Sequence, residues 1–189
     1  MQSYDTEEEA FESFIETYGE DSILLIDTYD TIIGAKKVKS IVQTKGVKIK
    51  GVRLDSGDLV SLSKKVKGII EDLGIYITSG LDEYKIDLFL KEGGVATGFG
   101  VGGNLVTSQD SPVAEIVYKL VQTEGDGEKT PCMKLSEGKQ TYPGEKSIRR
   151  VIKNGKYQRD ILALRGESVD GEEQLVDVYI NGELVYDLP

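Results

Sequence analysis

The first hundred residues alternate short apolar runs with longer segments in which apolar residues recur every three or four positions. The short runs predict strands at about residues 23–27, 48–54, 75–78 and 95–99. The longer segments predict helices at about residues 5–18, 35–45, 58–73 and 81–91. The predicted strand ends lie 28, 24 and 21 residues apart, which is the period of βαβ units, so this part of the chain is predicted to be an α/β protein.

The last two fifths of the chain have a different pattern, with segments rich in β-forming residues. These segments are AEIVYKLVQTEG, PCMKLS, IRRVIKNGKYQRDILAL and QLVDVYINGELVYDL. Asn154-Gly155 and Asn181-Gly182 each separate two strand-like runs, the strongest short-range signal for a β-hairpin. Residues 124–130, rich in glycine and acidic residues, are predicted to be an exposed connection.

Two of the predicted strands end in aspartate, LLIDTYD at Asp27 and GVRLDSGDL at Asp55. Barrel enzymes place functional groups at the carboxyl ends of their strands, where carboxylates hold sugar hydroxyls, a hydrated Mg²⁺ or both. A single aspartate at a strand end more often caps the following helix. The pair of aspartates, with Arg53 and Ser56-Gly57 beside the second one, favours a ligand site over capping.

A glycine-rich string, GFGVGGNLVTS, begins at Gly98 and overlaps the end of the fourth predicted strand. Four glycines in six residues allow backbone N–H groups to approach oxyanions closely, so Gly100, Gly102 and Gly103 indicate a phosphate-binding loop. The string also satisfies GxGxxG, but residues 104–112 predict a strand and a turn where a dinucleotide fingerprint requires a helix. A flexible strand–turn without a ligand is the alternative.

Two further strings carry candidate chemistry. The third predicted strand, in IYITSGLDE, ends at Ser79-Gly80 instead of aspartate. Farther along, KLSEGKQTYPGEKSIRR (residues 134–150) concentrates lysine and arginine in an acidic chain. Such a run is usually a solvated face, and the alternative is that it supplies cations to a pyrophosphate group.

Composition limits the partners and the chemistry. The 189-residue chain has a formal net charge of −10, so neither nucleic acid nor an anionic membrane surface is expected as a partner. No apolar run approaches the roughly 18 residues of a membrane span. The single cysteine, Cys132, fits a reducing compartment, so a cytoplasmic location is expected. Histidine is absent from this chain, which excludes Ser-His-Asp and Cys-His sites and imidazole ligands within it.

Taken in order, LIDTYDT, GVRLDSGDL, TSGLDE, FGVGGNLVTS, VYKLV and KLSEGKQTYPGEKSIRR resemble the motifs of nicotinate phosphoribosyltransferases. The resemblance runs from the first helix to about Arg150. It implies an α/β barrel that binds nicotinate and phosphoribosyl pyrophosphate and forms nicotinate mononucleotide, coupled to ATP hydrolysis. The implied fold is a partial (β/α) phosphoribosyltransferase-type barrel over residues 1–123, with a phosphate- and ribose-binding rim. A β-rich segment with two Asn-Gly hairpins then spans residues 124–189.

The resemblance also implies roles for the candidate residues. Arg53 is similar to the arginine beside the substrates, and Asp55 to the carboxylate near the ribose and Mg²⁺. Asp27 is similar to the aspartate that supports the site and its phosphorylatable histidine. The implied substrate- and phosphate-binding residues are Ser56, Gly57, Ser79, Gly80, Gly100, Gly102 and Gly103. Mg²⁺ is the implied cofactor, with Asp55 as its ligand, and ATP is the implied co-substrate.

This chain departs from the family pattern in two ways. It contains no histidine, and its motifs resemble only about the carboxy-terminal half of the enzyme. Half a barrel leaves open sheet edges and an uncovered core. The chain alone is therefore expected to be inactive, and to form a homo-oligomer or a complex with a chain that carries the missing half. A fragment of a longer enzyme, one subunit of a split enzyme and a degenerate relative all remain open.

Two other functions remain as alternatives. One is a non-catalytic relative that binds a phosphoribosyl ligand or a partner without turnover. The other is a quinolinate phosphoribosyltransferase, which shares the barrel type, although DTYDT, RLDSGDL and YKLV favour nicotinate. A GTMAHS-like string encoded upstream of Met1 would support the fragment or split-enzyme interpretation.

Overall fold

The computed structural model describes residues 1, 3–108, 110, 114, 116–135 and 140–186. The chain forms two compact units. One consists of Met1–Leu120 and Met133–Thr141, and the other of Val121–Cys132 and Tyr142–Pro189. Among the described residues, no helix has the length and apolar character that crossing a bilayer requires.

Helices and strands alternate in the first unit, as the hydrophobic pattern predicts. The elements are α1 (Glu7–Tyr18), β1 (Ile23–Leu25), α2 (Thr31–Lys45), β2 (Gly51–Leu54), α3 (Leu59–Ile69), β3 (Gly74–Ile77), α4 (Glu83–Lys91), β4 (Gly98–Phe99) and α5 (Gly103–Val106). The strands predicted at residues 48–54 and 95–99 are longer than β2 and β4. The helix predicted at residues 35–45 begins earlier, at Thr31, because Asp30 caps it.

The four strands of the first unit form one parallel sheet in the order β1-β2-β3-β4. Leu24, Val52 and Ile75 are adjacent in its register, and all three are buried. The same hydrophobic core contains Phe11, Ile26, Val38, Leu54, Val66, Ile77 and Phe89. Removal of this apolar surface from water is the main force that holds the helices on the sheet. The predicted α/β class is thus confirmed, whereas the sheet of the described residues is open and the partial barrel stays a prediction.

The opposite face of the sheet is less buried. Leu25, Arg53, Tyr76 and Gly98 form one row across it in the register. Arg53 is exposed, and the other three residues are half-buried. Parallel sheets are normally covered on both faces, so this face is unusual for its class.

Loop side chains fix where the helices begin. Thr6 and Glu9 form a reciprocal capping box at the start of α1. Asp30, Asp58 and Asp82 begin α2, α3 and α4, and each accepts a hydrogen bond from the backbone N–H three residues later. A cap of this kind typically stabilises a helix by about 1 kcal/mol.

The stretch after β4 differs from its prediction. Residues 104–112 are predicted as a strand and a turn, but Gly103–Val106 form α5. Residues 109, 111 and 112 lie outside the described part of the chain. A helix of one turn has too few positions to show a helical period, and the preceding Gly102 offers no capping side chain, so the pattern does not reveal it.

Antiparallel strands make up the second unit. They are β5 (Gln122–Gly125), β6 (Glu128–Pro131), β7 (Lys146–Lys153), β8 (Lys156–Leu164), β9 (Glu172–Glu173), β10 (Tyr179–Ile180) and β11 (Glu183–Leu184). Asn154-Gly155 joins β7 to β8 and Asn181-Gly182 joins β10 to β11, as the two Asn-Gly signals predict. All four turn residues have positive φ, which these two-residue turns require.

A third hairpin and a missing strand correct the prediction for residues 114–131. Asp126-Gly127, also with positive φ, joins β5 to β6 inside the predicted exposed connection. Asp-Gly is a recognised hairpin signal, so this turn could have been predicted from the sequence. Of AEIVYKLVQTEG, only Gln122–Gly125 forms a strand, and residues 116–120 form none; residue 115 lies outside the described part.

Candidate functional site

The carboxyl edge of the parallel sheet brings together the loops that contain the predicted site residues. β1 leads to Asp27, β2 to Asp55, β3 to Ser79 and β4 to Gly100. Backbone pairing continues to this edge. The N–H of Thr78 donates to the Leu54 carbonyl at 2.9 Å, and the N–H of Gly100 donates to the Ile77 carbonyl at 2.8 Å. The loops therefore leave the sheet at neighbouring positions.

Asp27 links the ends of β1 and β2. Its side chain is buried, and its Oδ2 accepts hydrogen bonds from the backbone N–H of Asp55 at 2.9 Å and from the Ser56 hydroxyl at 2.5 Å. A buried carboxylate is stable only where donors replace the water that it has lost. Asp27 thus fixes the loop that carries Asp55 and Ser56.

Asp55 continues this chain of contacts toward β3. Its Oδ1 accepts a hydrogen bond from the Thr78 hydroxyl at 2.5 Å. Because side chains alternate along a strand, Asp55 and Thr78 lie on the same sheet face as Arg53 and Tyr76, opposite the core. The sequence prediction missed Thr78, although its position two residues after Tyr76 indicates that face.

Helix capping does not explain Asp27 or Asp55. The caps of α2 and α3 lie three residues beyond these aspartates, at Asp30 and Asp58. The same spacing separates Ser79 from the cap of α4. In each of these three βα segments, the residue after the strand and the residue that caps the helix are therefore different. The residue after the strand is left for another role.

A cavity of about 220 Å³ lies beside this edge of the sheet. Its wall includes Asp27, Asp30, Ser56 and Gly57. Sites for whole small-molecule ligands are usually about 300 Å³ or larger, so this cavity is too small for a whole ligand. The other predicted site residues lie outside this wall: Arg53, Asp55, Ser79, Gly80, Gly100, Gly102 and Gly103. Arg53 is exposed on the sheet face opposite the core.

The turn after β3 has an uncommon backbone. Ser79 has a φ of 112° and Gly80 a φ of 56°. Positive φ is rare for residues other than glycine. The Gly80 carbonyl accepts hydrogen bonds from the Lys85 ammonium at 2.7 Å and from Asn104 Nδ2 at 3.1 Å. This turn is therefore connected to both α4 and α5.

The three glycines of the predicted phosphate loop have different surroundings. A Cβ at Gly100 would lie 2.7 Å from Cγ2 of Thr78, so packing requires glycine there. A Cβ at Gly102 or Gly103 would meet no protein atom within 4 Å. The amides that open a helix have no acceptor inside it, so these two positions combine N–H groups with open space.

A second buried carboxylate, Glu7, lies at the start of α1. Burial raises the pKa of Glu7, opposed by its ion pair with Lys37 at 3.3 Å, and the charge of Asp30 contributes a smaller upward shift. Lys37 also pairs with the more exposed Glu8 at 2.9 Å, and this hydrogen bond lowers the pKa of Glu8. These charges join the first turn of α1 to α2.

The cation-rich string contributes mainly to the second unit. Arg150 makes two hydrogen bonds to Asp160, at 2.9 and 2.8 Å, and Lys146 donates to the Tyr142 carbonyl at 2.6 Å. These contacts favour a structural role in the second unit for both cations. Residues 136–139 of the string lie outside the described part of the chain.

A parallel α/β sheet with carboxylates and a glycine loop at its carboxyl edge is typical of enzymes that bind phosphorylated substrates there. Sequence comparison narrows this class. The chain is 38% identical to a nicotinate phosphoribosyltransferase of Mycobacterium tuberculosis, over 98% of this chain and 40% of that protein. It is 35% identical to the nicotinate phosphoribosyltransferase of Bacillus subtilis, over 93% of this chain and 38% of that protein. No family model matches the chain.

The fold is also similar to a solved structure. The crystal structure of nicotinate phosphoribosyltransferase from Porphyromonas gingivalis matches 70% of this chain and 38% of that chain, with a TM-score of 0.53 and 25% sequence identity. The chain is therefore a homologue of the nicotinate phosphoribosyltransferases, and the resemblance inferred from its motifs is confirmed. It spans about two fifths of the length of these curated relatives. The names of these relatives specify nicotinate.

Proposed function

We propose that this chain forms part of a nicotinate phosphoribosyltransferase, an enzyme of NAD salvage. The reaction joins nicotinate to phosphoribosyl pyrophosphate, releases pyrophosphate and gives nicotinate mononucleotide, coupled to hydrolysis of the co-substrate ATP. The observation that carries the proposal is the chain of contacts from Asp27 through Asp55 to Thr78, beside an open glycine loop, in a homologue of these enzymes.

The carboxyl edge of the sheet is the proposed site for the phosphoribosyl group. Asp55 is the proposed carboxylate beside the ribose, Asp27 supports it, and Arg53 contacts the substrates from the adjacent row. The proposed substrate and phosphate contacts are Ser56, Gly57, Ser79, Gly80, Gly100, Gly102 and Gly103. Backbone N–H groups of the glycine loop suit a 5′-phosphate, because they approach an oxyanion without an intervening side chain.

The reaction develops positive charge on the ribose as pyrophosphate leaves. A carboxylate that is already in place lowers the energy of such an oxocarbenium-like transition state, because the site does not reorganise during the reaction. Asp27 supports this role for Asp55, since it is buried and holds the backbone of Asp55 by a hydrogen bond. Asp55 then presents its charge from a fixed position.

Asp55 is the proposed ligand for Mg²⁺. The described residues contain no group of three or more His, Cys, Asp or Glu side chains that could hold a metal. A single carboxylate such as Asp55 is compatible with Mg²⁺, because this ion is commonly held by one or two carboxylates together with substrate phosphates. When bound, the ion would neutralise charge on the leaving pyrophosphate.

The complete site is proposed to require polypeptide from outside this chain. The chain spans about two fifths of its relatives and contains no histidine. Its parallel sheet has one incompletely covered face, which carries Arg53. We propose that residues 1–123 form part of a barrel that is closed by a second copy or by a chain carrying the missing half, and that the chain alone is inactive.

Complementation tests this function. The chain is mixed with the part of the Bacillus subtilis relative that lies outside the matched region, and formation of nicotinate mononucleotide is followed with nicotinate, phosphoribosyl pyrophosphate, ATP and Mg²⁺. Product is expected only from the mixture. Asp55→Asn should lower kcat/KM by about 100-fold or more, because it removes a charge from the transition state. Asp58→Asn is the matched control, and it should change kcat/KM less than about twofold, because asparagine caps a helix as well as aspartate.

Each other outcome has a definite meaning. Turnover at the wild-type rate in Asp55→Asn would remove this residue from the site. Product from the chain alone would contradict its incompleteness. Phosphoribosyl pyrophosphate binding, measured by calorimetry, without product from the mixture would favour the non-catalytic relative, and absence of both would overturn the proposal.

A further inference from the structure

Asn104 connects two of the proposed ligand-binding loops. It is the second residue of α5 and directly follows Gly103. Its Nδ2 donates hydrogen bonds to the carbonyls of Gly80 at 3.1 Å and Leu81 at 3.0 Å. Because both partners are acceptors, the nitrogen of the side-chain amide, and not its oxygen, must face them.

The turn that receives these hydrogen bonds requires support from its surroundings. Ser79 and Gly80 both have positive φ, and such a backbone persists at a non-glycine residue only where neighbouring groups hold it. Asn104 holds the two carbonyls that follow Ser79. Lys85 Nζ also donates to the Gly80 carbonyl, at 2.7 Å, and the Leu81 side chain is buried.

The same turn is held on its other side by Thr78, whose hydroxyl donates to Asp55. Along the chain, the Ser79-Gly80 turn is therefore held by a contact with Asp55 on one side and by contacts with Asn104 on the other. A shift of the glycine loop relative to this turn would break both hydrogen bonds of Asn104. The two loops are thus coupled in position before any ligand arrives.

We propose that Asn104 is a positioning residue that joins the Ser79-Gly80 turn to the loop of Gly102 and Gly103. The joined loops then present their polar groups to one phosphorylated ligand in a fixed geometry. Fixing loops in advance strengthens binding, because less ordering remains to be done when the ligand binds. The inference rests on the proposed function, which supplies phosphoribosyl pyrophosphate as the ligand.

Three variants of the full chain test this role. Asn104→Asp keeps the size of the side chain but replaces both N–H donors by an acceptor that faces two carbonyls. Asn104→Gln keeps the donors and is the conservative variant. Leu105→Ala is the matched control, because Leu105 lies on the same helix and is 74% exposed. The readouts are hydrogen exchange of the backbone amides of residues 78–82, calorimetric affinity for phosphoribosyl pyrophosphate with Mg²⁺, and Tm.

Asn104→Asp should accelerate amide exchange in residues 78–82. It should also lower the affinity for phosphoribosyl pyrophosphate about tenfold, because two hydrogen bonds are lost. Its Tm should fall by less than about 3 °C, because the Asn104 side chain is exposed and its replacement removes no core packing. Asn104→Gln should recover part of both effects. Leu105→Ala should leave exchange and affinity at the wild-type values.

Unchanged exchange in Asn104→Asp would overturn the inference. Faster exchange with unchanged affinity would also overturn it, because the loops would then be joined without consequence for the ligand; the proposed function would stand. If the wild type does not bind phosphoribosyl pyrophosphate, the ligand assignment of the proposed function fails for this chain alone. The exchange measurement then decides by itself whether Asn104 holds the turn.

Discussion

Asp27 and Asp55 show how burial assigns different roles to the same side chain. Asp27 is 5% exposed and accepts hydrogen bonds from the neighbouring loop, so its charge mainly determines where that loop lies. Asp55 is half-buried and contacts Thr78 across the edge of the sheet. A carboxylate that water still reaches can exchange water for a ligand, which suits Asp55 to the chemical role and Asp27 to the supporting one.

Substitution by alanine is predicted to affect stability differently at Gly100 and at Gly102. Gly100→Ala places a Cβ 2.7 Å from Thr78 and should lower the free energy of unfolding by about 1–3 kcal/mol. The new Cβ in Gly102→Ala meets no protein atom within 4 Å, so the free energy of unfolding should change by less than about 0.5 kcal/mol.

Gly102→Val should still weaken the binding of phosphoribosyl pyrophosphate, because the methyl groups of the valine would occupy the proposed phosphate position. Urea denaturation measures the stability of the alanine variants, and calorimetry measures the affinity of Gly102→Val for phosphoribosyl pyrophosphate. Equal affinity in wild type and Gly102→Val would place the phosphate elsewhere.

The candidate carboxylates at the sheet edge could be identified from the sequence, whereas the contact of Asn104 with the backbone could not. Asp27 and Asp55 could be identified as candidates because two predicted strands end in aspartate, and this pair favours a ligand site over capping. Asn104 acts on carbonyls 24 and 23 residues away. Every residue has such a carbonyl, so the sequence contains no mark of this partner.

The contact between α1 and α2 has opposite pH dependence at two adjacent glutamates. Burial raises the pKa of Glu7 above 4.5, so the folded protein binds this proton more tightly than the unfolded chain, and this contribution to stability is lost as the pH rises through the folded pKa. The hydrogen bond from Lys37 lowers the pKa of Glu8. That contribution is present above the unfolded value and is lost as the pH falls through the folded pKa.

Replacing each glutamate by glutamine should separate these effects. Glu7→Gln should gain stability relative to wild type as the pH rises above 4.5, because the variant has no charge to bury. Glu8→Gln, the matched control, should lose stability relative to wild type as the pH rises toward 4.5 from below, by a small amount because Glu8 is partly exposed. Chemical denaturation across this range measures both, and curves that move in the same direction would contradict the assignment of the two environments.

The predicted elements differ from the observed ones where an element is short or depends on a distant partner. The Asn-Gly turns were found because their signal is local, and the Asp126-Gly127 turn carries the same kind of signal inside an acidic stretch. A one-turn helix such as α5 has no period to detect. Residues 116–120 have β-forming side chains, but a strand also needs a neighbouring strand with which to pair, and their sequence does not supply one.

Among the described residues, three consecutive apolar side chains are almost fully exposed. Ile116, Val117 and Tyr118 are 86%, 78% and 97% exposed, and they follow one another directly along the chain. Contiguous apolar patches on soluble monomers commonly mark surfaces that another polypeptide covers. In the first unit, the incompletely covered face of the parallel sheet indicates the same requirement.

The chain is therefore expected not to persist as a monomer. Light scattering at micromolar concentration should give a mass above 20.8 kDa, because association covers the apolar surface and the open sheet edges. Addition of the complementary part of a relative should convert these species to one complex of defined mass. A single 20.8 kDa species with a cooperative melting transition would contradict the requirement for a partner.

In the first three βα segments, the candidate site residue and the following helix cap are three residues apart, which makes these segments modular. Positions 55 and 79 follow β2 and β3, whereas Asp58 and Asp82 begin the helices that come next. A substitution at a strand end therefore alters what the sheet edge offers to a ligand and leaves the start of the helix intact. Ser79 in place of aspartate is one such variation within this chain. At positions 55 and 79, the side chain offered to the proposed ligand can thus change on a scaffold whose helices stay anchored.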